Sequence, residues 1–276
     1  MKVSIIGLGL MGGSFALSIK KAFPEWTVFG HDHNQSHQEE ALKLNLVDKI
    51  VNFDEVKKSD VIVLAIPVEG IIKVLQDLKD ISPGTTVIDL GSTKEKIIKN
   101  TPKEIRKNLV ASHPMAGTEN TGPTAAFDSL YHDKVVVLCD IDSSGEKQQK
   151  TAIEIFSKIG MKIVYMDSAT EHDLHAAYIS HLPHAISFAL ANSVLKQEDP
   201  KSILALAGGG FKSMSRIAKS SPVMWSDIFK QNKQNLLTTL DTFETELKYM
   251  RKLIEDEKWE ELQKWMSEAN LLHNIL

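Results

Sequence analysis

Short apolar runs rich in Val and Ile punctuate the first part of the chain: "KVSIIG", "TVFGHD", "VIVLAIP", "TTVIDLG", "NLVASHP", "KVVVLC" and "KIVYMD". Between them lie stretches with helical spacing of apolar residues, over 10–22, 70–80, 94–108 and 146–159. β-branched runs of this length read as buried strands, and their alternation with helices predicts a mainly parallel, doubly wound sheet covered by helices. From about Asp167 the pattern changes. Strand-like runs vanish, and apolar residues at spacings of three and four predict helices over 169–195, 201–207, 223–253 and 255–274. The expected fold is an α/β doubly wound sheet over 1–167 followed by an all-α C-terminal domain over 168–276.

Composition narrows the class. The 276 residues, 42% hydrophobic and 25% charged, suit an ordinary globular protein of two domains. A net charge of -4 offers nucleic acid no general attraction. No apolar run reaches the roughly 20 residues that span a bilayer. Nor does a basic leader precede an apolar stretch, so a cytoplasmic location without nucleic-acid or membrane partners is expected. The single cysteine, Cys139, lies in "KVVVLC" and is expected to be a small core residue.

Candidate chemistry begins at "GLGLMGGS", between the first strand and the first helix. Gly7, Gly9 and Gly12 form G-x-G-x-x-G there, and together with Leu10 and Met11 they make the expected cofactor-binding turn of a Rossmann-type dinucleotide-binding domain. Such glycines let backbone amides approach a pyrophosphate, and the following helix turns its positive end toward it. Glycines also make tight turns for structural reasons alone, so the strand–turn–helix context carries the assignment. Asp32 ends the second strand, 20 residues beyond Gly12, where a carboxylate accepts hydrogen bonds from the adenosine ribose hydroxyls. The alternative is a solvated loop acid. Because "HDHNQS" supplies neither Arg nor Lys for a 2′-phosphate, the expected cofactor is NAD.

Ligands of an open α/β sheet bind beyond the carboxyl ends of its strands. Pro67 stands at one such end and is expected to shape the floor under the cofactor. Ser92 closes the next strand in "GSTKE", which reads both as a capping box with Glu95 and as a hydroxyl at the crevice mouth. His113 ends "VASHP". Pro114 cannot donate a ladder hydrogen bond, so strand pairing is expected to stop there with the imidazole facing the crevice. A nicotinamide enzyme that oxidises an alcohol needs a base for the hydroxyl proton, and histidine titrates in the right range. A lone histidine is commonly structural; the strand end, the Gly117 turn and nearby Glu119 favour the functional reading.

In this order, "GLGLMGGS", "GSTK", "SHPMAGTE", "SHLPH" and "GGGFKSMSRIA" resemble the prephenate dehydrogenases of tyrosine biosynthesis, over nearly the whole chain. The resemblance implies an NAD-dependent oxidative decarboxylation of prephenate to 4-hydroxyphenylpyruvate and carbon dioxide, by a homodimer built through the helical domain. It makes His113 the acceptor of the hydrogen bond from the substrate's ring hydroxyl, with Ser92 orienting it beside the nicotinamide. His184 then looks like the histidine at the substrate's side-chain end, and Arg216 like the group that holds the ring carboxylate. Lys212, the Gly209 backbone and Trp225 are further candidates for the substrate pocket.

The residues add their own constraints. Arg216 follows a glycine-rich turn into a helix, and its planar fork suits a carboxylate; a surface cation is the alternative. His172, His175, His181 and His184 invite a metal, but a zinc site usually adds Cys or carboxylate ligands in a recognisable arrangement, and none is expected. His181 is expected to support the fold or site, and His172 and His175 to be surface or packing residues. Pro183 should bend the chain between His181 and His184. Where the family often has "GFRD" or "GFKD", this chain has "GFKSMSR", with Ser213 for the acid and Ser215 for a threonine. A gate between that acid and the "SHPMAGTE" loop is therefore not expected in the family's form, while Glu119 remains a substrate-pocket candidate. No βαββαβ-like segment is present before Leu276, so a monofunctional enzyme with any tyrosine inhibition at the active site is expected. The alternatives are an arogenate dehydrogenase, a 3-hydroxyacid dehydrogenase with a helix-borne lysine, and an NAD-sensing protein without turnover, which would need neither His113 nor Arg216.

Overall fold

The computed structural model describes residues 1–275. Strands β1 (Lys2–Ile6), β2 (Thr27–His31), β3 (Lys49–Ile50), β4 (Val61–Leu64), β5 (Thr86–Asp89) and β6 (Leu109–Pro114) run parallel. The last two, β7 (Val135–Cys139) and β8 (Lys162–Met166), run parallel to each other and antiparallel to β6. Across the sheet the order is β3-β2-β1-β4-β5-β6-β7-β8. Chain order therefore reverses between β1 and β4, which opens a crevice above the carboxyl ends of those two strands.

Alternation along the strands explains why both faces are covered. Val3, Ile5, Val63, Ile88 and Val110 join one apolar cluster, while Ile6, Ile62, Leu64, Val87 and Leu109 join the other. Successive side chains of a strand point to opposite faces, so these runs bury both. Helices α1 (Leu10–Ala22), α2 (Gln35–Lys43), α3 (Phe53–Val56), α4 (Val68–Asp77), α5 (Glu95–Asn100) and α6 (Glu146–Lys158) supply the cover. The helix expected over 94–108 stops at Asn100, because Pro102 cannot continue it and only a single turn, Lys103–Ile105, follows. Cys139 is fully buried in β7, and burial pushes its thiol up to about 12, as befits an inert core residue.

Beyond β8 every regular element is helical: α7 (Ala169–Ala176), α8 (Leu182–Leu195), α9 (Pro200–Ala205), α10 (Gly209–Ser215), α11 (Pro222–Gln231), α12 (Lys233–Glu255) and α13 (Trp259–Ala269). The single helix expected over 169–195 is interrupted by a wider π turn at Ala177–His181. The irregularity thus falls one turn ahead of Pro183, whose missing N–H interrupts the bonding of a helical run that is otherwise continuous through His181 and Leu182. The stretch expected as one helix over 223–253 divides at Asn232 (φ -111°, ψ 31°). Helix α8 is apolar on all sides, yet Ser187 is its one buried residue. Among the described residues, no helix is long and apolar enough to cross a membrane.

Candidate active site

The turn after β1 is built by two glycines the backbone itself demands. Gly7 has φ 94°, and a Cβ there would lie 2.4 Å from the carbonyl oxygen of Ala65. At Gly12 a Cβ would fall 1.8 Å from the Gly7 carbonyl oxygen, so α1 could not start so close to the strand. Gly9 is different: a Cβ there would meet nothing of the chain within 4 Å. The space it leaves open faces outward, at the N-terminus of α1, which is where a pyrophosphate would approach.

Asp32 is 6% exposed and accepts the amide N–H groups of Leu8 (2.8 Å) and Asn34 (2.8 Å), which fix its carboxylate against the glycine turn. His33 and His37 stand 3.3 and 3.6 Å from it. Gly7 and Asp32 line a cleft with the apolar side chains of Phe53, Ile66 and Val74. An acid for ribose hydroxyls beside apolar walls for an adenine, next to an open glycine turn, fits a dinucleotide. Pro67 is exposed at the end of β4 and leads into α4.

Sheet order sets Ser92, after β5, between this crevice and His113 on β6. The capping box expected for Ser92 does not form. Helix α5 begins instead with the N–H groups of Lys94 (2.7 Å) and Glu95 (3.0 Å) donating to the carboxylate of Asp173, which arrives from α7. Ser92 is half-buried, and its hydroxyl makes no hydrogen bond among the described residues. No hydrogen bond joins it to His113 among the described residues.

His113 is 9% exposed, and its Nδ1 lies 2.9 Å from Nε2 of His172, whose Nδ1 is in turn 2.9 Å from Asp173 Oδ1. His172 is therefore not a surface residue: it is 3% exposed and hydrogen-bonded to the candidate base. Strand pairing also runs past the expected stop. Pro114 pairs with Val136 of β7, and the Met115 N–H donates to the Val135 carbonyl at 2.8 Å. In an antiparallel ladder the pairs alternate, so the Pro114 nitrogen points away from β7, toward the side where pairing with β5 has already ended at Ala111.

Beneath the histidines lies an ion pair that the sequence reading missed. Lys94 and Asp89 are both 0% exposed; the Lys94 ammonium donates to Asp89 and, at 2.5 Å, to the Ser112 carbonyl. An acid and a lysine closing an otherwise apolar strand, "VIDLGSTK", are the signal that could have marked them. Burial raises the Asp89 carboxyl above its ordinary value, against the pull of Lys94. Burial likewise holds the His113 imidazole well below its ordinary value, and the charge of Lys94 acts in the same direction. The base is thus neutral at neutral pH.

On the helical side, His184 stacks on Trp225 with ring centroids 3.6 Å apart, and its Nδ1 donates to the Ser180 carbonyl at 2.9 Å. Asn232 donates to Nδ1 of His181 (3.1 Å) and to the Asp173 carbonyl (2.6 Å), so this cluster connects to the His113 chain. Nε2 of His181 and Nε1 of Trp225 are buried without a hydrogen-bond partner. Arg216 forms an ion pair of 3.0 Å with Glu119, on the loop after β6. The loop after β6 thus meets the segment after α10 through Arg216, while Ser213 supplies no acid to it. The Glu119 carboxyl is held below its ordinary value first by its own backbone amide and then by Arg216. Lys212 and Gly209 lie exposed on α10, and His175 is a surface residue near Glu171, as expected.

Two family models cover the chain: prephenate dehydrogenase, nucleotide-binding domain, matches residues 15–165, and prephenate dehydrogenase, dimerization domain, matches residues 168–268. The chain belongs to the prephenate dehydrogenase family. It is 32% identical to a prephenate dehydrogenase of Bacillus subtilis, over 97% of this chain and 74% of that one. It is 34% identical to a cyclohexadienyl dehydrogenase of Zymomonas mobilis, over 91% of this chain and 88% of that one. A crystal structure of prephenate dehydrogenase from A. aeolicus in complex with hydroxyphenyl propionate and NAD+ superposes with a TM-score of 0.91 at 33% identity, covering 99% of this chain and 97% of that one. The Rossmann-type sheet and the helical C-terminal half of this family member accord with the expected fold class. Its own departure from the family pattern, Ser213, is exposed, while Ser215 donates to the Phe211 carbonyl at 2.7 Å.

Proposed function

We propose that the protein is an NAD-dependent prephenate dehydrogenase that converts prephenate to 4-hydroxyphenylpyruvate and carbon dioxide in tyrosine biosynthesis, in the cytoplasm. The observation that carries this reading is His113: a neutral, hydrogen-bonded imidazole on β6, in the same sheet as β1 with its glycine turn and β2 with Asp32 at its end, in a chain of this family. Gly7, Gly9, Leu10, Met11 and Gly12 hold the pyrophosphate, Asp32 the ribose, and Pro67 and Ser92 border the nicotinamide. Bound NAD supplies the acceptor for the hydride that leaves the carbinol carbon.

His113 accepts the proton of the ring hydroxyl as that hydride departs. The bond from the opposite ring carbon to its carboxylate then breaks, its electron pair returns through the ring to the oxygen, and the proton returns with it to give a phenol. Arg216 holds the ring carboxylate, with Lys212, the Gly209 backbone and Glu119 around it. His184, stacked on Trp225, meets the side-chain end. Positioning and fixed charge are the protein's main contributions. Residues 1–167 serve the cofactor and 168–276 the substrate and a second copy of the chain. Support for a homodimer comes from α8, whose large apolar side chains are only partly covered within one protomer, with Leu195 61% exposed.

Following reduced-cofactor absorbance with prephenate or arogenate, each with NAD or NADP, tests the reading. Prephenate with NAD should give the highest kcat/KM. His113→Asn should lower kcat by about 10²- to 10⁴-fold, the range for a positioned general base, with less effect on substrate binding. Because the imidazole acts in its neutral form and is held well below 6.5, activity should persist as pH falls past 6.5 and disappear only further down. A parental kcat in His113→Asn sinks the assignment.

A further inference from the structure

We propose that His172 and Asp173 are positioning residues that fix the tautomer of His113, so that Nε2, the nitrogen left for substrate, carries the lone pair. This rests on the reading of His113 as the base. The neighbours of Asp173 leave it a single hydrogen-bonding role. Its Oδ1 accepts the N–H of Lys94 at 2.7 Å and its Oδ2 that of Glu95 at 3.0 Å. Backbone amides can only donate, so both carboxylate oxygens are acceptors. His172 Nδ1, 2.9 Å from Oδ1, must then carry a hydrogen and donate it.

A neutral imidazole has one N–H. With that hydrogen on Nδ1, the Nε2 of His172 is an acceptor, and it stands 2.9 Å from Nδ1 of His113. His113 therefore donates from Nδ1, and its Nε2 keeps the lone pair. His113 Nε2 makes no hydrogen bond among the described residues, so the chain ends on a free basic nitrogen. Direction thus passes from a helix cap on α5, through α7, to the base on β6.

The chain runs in this direction with His172 as the neutral imidazole. A doubly protonated His172 would donate from both nitrogens, turn His113 to the Nε2–H form and remove the base. The groups around His113 are Lys94 with its partner Asp89, His172 with Asp173, and His181. When His113 takes the substrate proton at Nε2, its Nδ1–H bond to His172 remains, so no ring rotation accompanies catalysis.

The two variants that separate this from a packing role are Asp173→Asn and His172→Gln. An asparagine at 173 has one acceptor oxygen for the three donors that Oδ1 and Oδ2 now take, Lys94 N–H, Glu95 N–H and His172 Nδ1–H; a turn of the amide that gives this oxygen to the α5 amides leaves its NH2 facing His172. That reverses the chain and places the hydrogen of His113 on Nε2. His172→Gln keeps an acceptor oxygen for His113 Nδ1–H.

The experiment is nitrogen NMR of the full-length protein with ¹⁵N-labelled histidine, the His113 signal being assigned by its loss in His113→Asn. This is paired with kcat and KM for prephenate. The Nδ1–H form is expected in the native protein and in His172→Gln, and the Nε2–H form in Asp173→Asn. For Asp173→Asn, kcat should fall by about 10²- to 10⁴-fold with KM little changed, comparable to other enzymes whose catalytic histidine is held in the wrong tautomer. His172→Gln should stay within about tenfold of the native kcat.

An Nε2–H signal for His113 in the native protein overturns the proposal. So does Asp173→Asn with its Nδ1–H form intact, or equal losses of kcat in both variants without a change of tautomer, since that is what a structural role would give. The tautomer is read without turnover, so failure here is distinguishable from failure of the base assignment, which a parental kcat in His113→Asn would reveal.

Discussion

Arg216 already has an anion beside it, and that shapes what its replacement should do. Glu119 reaches the guanidinium at 3.0 Å while more than half of the arginine side chain stays exposed, so the pair is weak enough for a substrate carboxylate to displace. Arg216→Ala should raise KM for prephenate by roughly 10- to 150-fold, the loss expected for a charge-assisted contact, and Arg216→Lys should fall between, because lysine keeps the charge without the fork. Glu119→Gln should act oppositely and lower KM by about two- to fivefold, since the arginine no longer has a competitor. Steady-state kinetics checks all three, and a rise of KM in Glu119→Gln would show that the glutamate itself binds substrate. Residues such as Gly7, Gly12 and Asp32 were legible in the sequence because local spacing carries their meaning. His172 was not, because its partner His113 is 59 residues away and only the fold brings them together. Arg216 and Glu119 were each singled out, but their pairing, across 97 residues, was not.

At the scale of elements, the junction of β1 and α1 separates two kinds of glycine. Gly12→Ala drives a Cβ into the Gly7 carbonyl and should push α1 off the strand, lowering the melting temperature and cofactor affinity together. Gly9→Ala meets nothing in the chain, so its melting temperature should stay within a degree or so of the parent while NAD binding weakens at least about tenfold, a methyl group occupying the pyrophosphate's approach. Thermal scans with and without NAD test the pair; equal destabilisation would show that Gly9, too, serves the fold alone. Helix α1 was read with its observed ends, 10–22, because glycines precede it and its apolar residues are regularly spaced. The helix over 94–108 was read too long because periodicity outweighed Pro102. The π turn in 177–181 left no mark on the apolar pattern, since a single wide turn shifts it little. Helix α10 escaped notice because its glycines argue against helix, and α2 because it buries Ala41 alone.

At the scale of the whole molecule, the helical half carries several large apolar side chains that stand exposed. Leu195, Leu206 and Val223 are 61%, 88% and 79% exposed, and Trp259 and Met266 add to them from α13. A second copy of the chain is the partner this surface suits, so light scattering at micromolar concentration should give twice the mass of one chain, and Leu195→Glu with Leu206→Glu should shift it toward the monomer. A native monomer would remove the dimer from the proposal. The bridging carboxylate of Asp173 has a consequence of a different kind. It belongs to α7 but terminates α5, and Lys230 of α11 meets Glu69 of α4 at 3.0 Å nearby. Separating the halves would strip two amides of α5 of their acceptor and leave His113 without its partner. The cooperative unit is then the entire chain, and calorimetry should record one heat-absorption peak whose van't Hoff and measured enthalpies agree per unfolding unit, where a loosely tethered pair of domains would give two.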